Sequence, residues 1–182
     1  MDISQAEMRE MWDRLQITDA LHCYSAALDE RGPEYGERPR FAAFDAGFTP
    51  DAVFVDYYEP GSEISREEFI VLLTQNFSKT KGIHRGLSGQ HLLTNIKITL
   101  DGDSAKSRCE YISIAVKSIE AQADYPGRAL MVLRGGFYED DYIRTVEGWR
   151  ITRHKINRRW DTTAEAFWPL APRAKRPVAS ST

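Results

Sequence analysis

A chain of 182 residues with 42% apolar and 28% charged side chains suits one soluble domain with a sizeable core and leaves little room for a second. Basic residues number 24 and acidic residues 27, so the net charge of −3 excludes the global basic field expected of a nucleic-acid-binding protein. The 2 cysteines, Cys23 and Cys109, stand far apart, which excludes a disulfide framework and suits a reducing compartment. No apolar run reaches membrane-spanning length, and the opening Met1-Asp2-Ile3-Ser4-Gln5 lacks the parts of a signal peptide, so the expected location is cytoplasmic.

Taken in chain order, residues 4–30 read as a helix. Ser4 and Glu7 have capping-box spacing, and Met8, Met11, Leu15, Leu21, Tyr24 and Leu28 trace an apolar stripe. Arg31-Gly32-Pro33 ends it, and residues 41–44 make a short helical turn. Residues 52–58 are β-branched and aromatic and read as a strand that stops at Pro60-Gly61. Ser65 with Glu68 caps a second amphipathic helix, with Phe69, Leu72, Leu73 and Phe77 inward.

A glycine-containing loop carries His84, and residues 90–100 then form a strand. Asp101-Gly102 turns the chain into its partner, residues 104–119. Residues 129–143 form a long strand in which Gly135-Gly136 marks a bulge or bend. Glu147-Gly148 turns into a last strand over residues 149–158. Its basic side chains alternate with apolar ones, as on a strand with solvated charges. Trp160, Phe167 and Trp168 are expected past that strand, covering an opening or packing on a neighbouring subunit. The predicted fold class is α+β: a curved antiparallel sheet forming a cone, with helices over its concave face. One domain is expected over residues 1–170, with a disordered tail over 171–182.

A carboxylate and an imidazole are the candidate machinery. Asp29 closes the first helix, where the negative end of the dipole makes a carboxylate unfavourable without a partner. His91 opens a strand covered in part on both faces, and a covered histidine needs a hydrogen-bond partner. If the two meet, the carboxylate orients the ring and leaves its other nitrogen for proton transfer. Five helical steps place Asp29 about 140° round from Tyr24, so the two share a pocket only if the helix end tightens or frays. Strand parity puts Asn95 on the face of His91 unless a bulge intervenes. Tyr57 is one of two tyrosines alternating across a strand, His84 lies on a loop at a pocket rim or the surface, and Arg158 is a candidate for a substrate carbonyl or carboxylate. His22 and His154 read as structural or exposed. No phosphate loop, activated nucleophile or metal-ligand spacing is present, so neither a metal nor another cofactor is expected.

The order and spacing of Tyr24-to-Asp29, Phe48-Thr49-Pro50-Asp51, His91-to-Ile96, Leu100-to-Ala105 and Gly148-Trp149-Arg150-Ile151 resemble the SnoaL-like family of the nuclear transport factor 2-like superfamily. Within it, the chain is most similar to the cofactor-independent dehydratases of the scytalone and bile acid 7α types. That resemblance implies catalytic roles for His91, Asp29 and Tyr24, and substrate contacts from Tyr57 and Arg158. A second active-site histidine of the scytalone type is absent from residues 108–113. The implied activity is that of a lyase or isomerase acting on a small hydrophobic ring compound such as a polyketide, steroid or aromatic metabolite. Expected partners are that ligand and further copies of the chain, as a homodimer or homotrimer, with no nucleic acid and no membrane. The same fold also serves ligand-binding proteins and oxygenase β subunits, so function has to come from the site.

Overall fold

The computed structural model describes residues 2–29, 39–57, 59–78, 86–118 and 128–167. His84 and the tail over 171–182 lie outside the described residues. No described helix is long and apolar enough to cross a membrane.

Helix α1 (Gln5–Asp29) begins at the expected capping box. The Ser4 N–H donates to Glu7 Oε2 at 2.8 Å and the Glu7 N–H donates to Ser4 Oγ at 3.2 Å. Its inward face is Asp13, Ile17, Leu21, Tyr24 and Leu28. The expected stripe is therefore only half right. Met8, Met11 and Leu15 remain exposed, together with Trp12. The first half of the helix is held instead by polar anchors. Arg144 of strand β5 (Arg128–Thr145) donates Nη2–H to Asp13 Oδ2 at 2.7 Å and pairs with Oδ1 as well. The buried Trp149 indole donates to Asp13 Oδ1 at 3.0 Å. A carboxylate that collects these donors outranks the apolar side chains in setting which face turns inward.

Helix α2 (Pro39–Gly47) leads into β1 (Phe48–Val55), then β2 (Glu63–Ser65) and α3 (Arg66–Ser78). The second capping box also forms, with the Ser65 N–H donating to Glu68 Oε2 at 2.8 Å. Strands β3 (Gly86–Asp101), β4 (Ser104–Ser118), β5 and β6 (Gly148–Phe167) follow as an antiparallel meander. The sheet order is β2-β1-β6-β5-β4-β3, with β1 parallel to β6, so the sheet is antiparallel apart from that one pairing. Helix α1 packs against α2, β3 and β6. The core between these layers holds Tyr24, Phe44, Phe48, Phe54, Phe69 and Trp149.

Three of the register shifts in the long strands bear on which side chains face the core. One lies at Asn95, with φ 52°, where the β3–β4 register shifts between Thr94 and Lys97. A second lies at Thr152, between the pairs Asp141–Arg153 and Tyr142–Ile151. The third is the expected one at Gly135 and Gly136. There a Cβ on Gly136 would stand 2.0 Å from the Asn157 carbonyl oxygen, so the crossing of two backbones requires glycine. Gly136→Ala is expected to cost about 1–3 kcal/mol, read as a lower urea midpoint at constant slope. Strand β6 is also longer than its sequence suggests: Trp160 and Phe167 belong to it. Trp160 packs beside Gly135, where an added Cβ would meet its ring at 2.3 Å. Trp168 lies outside the described residues.

Candidate active site

Helix α1 ends on Asp29 beside β3, an edge strand whose outward amides have no ladder partner. Asp29 satisfies one of them. The His91 main-chain N–H donates to Asp29 Oδ2 at 2.6 Å, and His91 Nδ1 lies 2.5 Å from Asp29 Oδ1. With a carboxylate facing it, Nδ1 carries the proton and Nε2 is left with a lone pair. Two donors on one residue also offset the helix-end dipole that disfavours a carboxylate at this position. The imidazole side chain is 12% exposed and the carboxylate 22%, so the pair sits where the interior meets the surface and a solute can reach it.

Tyr24 lies behind this pair. Its ring is edge-on to His91 at 6.0 Å between centroids and is buried. The helix reaches Asp29 with no break, and the Asp29 side chain swings across to β3 while Tyr24 points into the core. That is how two residues five steps apart serve one cluster. Burial first, with the neighbouring Tyr57 and Tyr111 hydroxyls acting in the same direction, holds the Tyr24 hydroxyl well above the ordinary tyrosine range, while a hydrogen bond from Tyr138 acts the other way. Tyr24 is therefore a phenol, a hydrogen-bond donor, throughout the pH range in which the fold survives.

Tyr57 lies against the same cluster, edge-on to Phe69 at 4.8 Å. Arg158 is exposed, but its guanidinium hydrogen-bonds the buried Tyr111 hydroxyl, and Tyr111 stacks on Tyr138 at 4.1 Å. Asn95 is a correction. The bulge at its own position turns it outward, where its Nδ2 donates to Glu110 Oε2 at 2.9 Å on the solvent face. After the bulge, Ile96, Ile98 and Leu100 join Leu93 against the core. Among the described residues, no group of three His, Cys, Asp or Glu side chains could hold a metal ion.

Sequence reasoning missed a second aspartate–histidine pair. His154 on β6 faces Asp140 on β5, with Nδ1 2.5 Å from Oδ1 and both side chains fully buried. Read as an unbroken strand, β6 puts His154 on the face opposite Trp149 and Ile151, which is solvent. The bulge at Thr152 reverses that parity and turns His154 inward. The available signal was the Glu147-Gly148 hairpin, which sets residues near 140 opposite residues near 154. His154 lies 4.2 Å from the Tyr24 ring, so one tyrosine touches both imidazoles. Burial and the nearby Asp140 charge push the Cys109 thiol up to about 12, so it is a neutral packing group.

A curved, unclosed sheet with helices on its concave side and an acid–base pair at its edge defines the class: an α+β cone. The SnoaL-like domain family matches residues 9–155, and the chain belongs to that family. An uncharacterized protein of Mycobacterium tuberculosis, Rv2910c, is 33% identical over 153 residues, covering 84% of this chain and 90% of its own. A putative scytalone dehydratase from Novosphingobium aromaticivorans superposes with TM-score 0.58 at 19% identity, covering 88% of this chain and 91% of that one. The LinA-type3 hexachlorocyclohexane dehydrochlorinase of Novosphingobium barchaimii superposes with TM-score 0.59 at 14% identity, covering 87% and 94%. Likenesses of this size show a shared fold.

Proposed function

We propose that the chain is a cofactor-independent lyase or isomerase of the dehydratase kind, acting on a small, largely apolar ring compound with a hydroxyl and an activating carbonyl. The observation that carries this reading is the two-point hold of Asp29 on His91, at 2.6 Å and 2.5 Å, which fixes the ring with Nε2 available as a base. In this reading His91 removes a proton from the carbon next to the carbonyl. Tyr24 donates to the oxygen on which negative charge gathers, with Tyr57 against the ring of the ligand and Arg158 holding a carbonyl or carboxylate at the rim. A positioned base supplies roughly 10²–10⁴-fold and oriented donors about 10²–10³-fold more. That is enough for an acidified C–H and not for an unactivated one. The fold relatives named for dehydratase and dehydrochlorinase chemistry support an elimination.

His91→Ala is the direct test. Loss of turnover with ligand affinity nearly unchanged is the expected result. An equal loss of affinity, or a wild-type chain that binds such ligands without converting them, would make this a binding protein instead.

A further inference from the structure

We propose that His154 is the second acid–base group of this site, and that its Nε2 takes the oxygen of a ring ligand's hydroxyl, donating the proton with which that oxygen departs. The inference rests on the lyase reading above and extends it to a buried residue of β6 in the same sheet.

His154 Nε2 is buried and has no hydrogen-bond partner among the described residues. The ring around it is fixed from behind. Asp140 Oδ1 holds Nδ1 at 2.5 Å, while Asp140 Oδ2 has the Ser107 and Tyr142 hydroxyls each at 3.4 Å. Those two hydroxyls lie 2.9 Å apart, so the carboxylate has a polar surround and the imidazole only one tether. Four aromatic rings stand around the imidazole: Tyr24 at 4.2 Å, Tyr138 at 4.7 Å, Phe54 at 5.6 Å and Phe48 at 6.1 Å. A fold that needed only packing here would be served as well by two apolar side chains, because a buried ion-pairing couple is costly to desolvate. An oriented imidazole whose second nitrogen has no partner is a bonding capacity kept open.

Its position gives that capacity a use. Tyr24 contacts both His154 and His91, so a bicyclic or tricyclic ligand seated beside the Tyr24 ring, within reach of its hydroxyl, would meet both imidazoles. Elimination of water needs two proton transfers, and each histidine supplies one. His91 Nε2 takes the proton from the carbon beside the carbonyl, and the electron pair of that C–H bond becomes the new C=C bond. The C–O bond breaks with its pair on oxygen, and His154 Nε2–H gives that oxygen a proton, so it leaves as water. His91 ends as imidazolium and His154 as neutral imidazole, so the charge of the site is conserved. Proton exchange with water restores both. An acid separate from the base lets a hydroxyl, a poor leaving group unless protonated, depart as water.

The test uses the full chain with 15N-labelled histidine. On adding 1-naphthol, a planar bicyclic phenol, the His154 Nε2 resonance is expected to move, with assignment from its absence in His154→Gln. No movement, or movement of His91 alone, overturns the proposal. In turnover, 3-hydroxy-1-tetralone and 3-acetoxy-1-tetralone differ in whether the leaving group needs a proton. His154→Gln is expected to lose about 10²-fold or more in kcat on the hydroxy compound and under about tenfold on the acetoxy compound. An equal loss on both, or no loss on either, overturns the proposal and leaves His154 a structural residue. If His154→Gln does not fold, Asp140→Asn carries the same comparison. Failure of the wild-type chain to convert either compound counts against the lyase reading alone, and the naphthol spectrum then decides the place of His154 as a ligand contact.

Discussion

Asp29→Asn is expected to lower kcat by roughly 10²–10⁴-fold while leaving the chain folded. The reason lies in counting acceptors. Asp29 receives two donors from His91, the main-chain N–H at 2.6 Å and Nδ1–H at 2.5 Å, one on each carboxylate oxygen. An asparagine amide has one acceptor and one donor atom. If its oxygen keeps the main-chain N–H, its NH₂ faces Nδ1, and the imidazole proton must move to Nε2. The ring stays in place with the base removed. Steady-state kinetics on a ring β-hydroxyketone reads the loss, and the 15N spectrum of His91 reads the tautomer without any substrate. Unchanged turnover with the proton relocated would remove His91 from the chemistry.

The second large effect is on stability. Arg144 holds the Asp13 carboxyl well below the usual carboxylate range, at about 2, with Trp149 adding a further hydrogen bond and burial opposing both. Because the folded value is depressed, the stabilisation is complete above about pH 4 and is lost as pH falls through the folded value near 2. A shift of that size corresponds to about 2 kcal/mol. Asp13→Asn is therefore expected to lower unfolding free energy by about 2–3 kcal/mol at neutral pH. It should lose little further on acidification from this site, so the wild-type and variant urea midpoints converge near pH 2. Parallel curves that never converge would show that the Asp13–Arg144 pair is not what anchors α1. The same result would leave the exposure of Met8, Met11 and Leu15 without its cause.

Both capping boxes, the Asp101-Gly102 and Glu147-Gly148 turns and the bend at the paired glycines were legible in the chain. Each is a local device whose residues sit within a few positions of one another. The partnership of Asp29 and His91 was legible only through the family resemblance, since nothing local relates a helix end to a strand 62 positions on. What could not be read were the bulges. A single extra residue reverses which side chains face inward, because the strand period is two. At Asn95 this sent an expected site residue outward and brought Ile96 and Ile98 in. At Thr152 it brought His154 in.

The amino-acid order by itself determined the element types, the hairpin succession and the residues able to move a proton, because propensity, capping and turn chemistry act over a few residues. The tertiary structure decided which histidines face the interior and what stands beside them. A bulge forms where two strands of unequal path must stay in register over a curved core, and that strain exists only once the sheet has curved over α1. The Asp140–His154 pair is the consequence: two ordinary positions on neighbouring strands, made into a buried acid–base couple by one residue of slip.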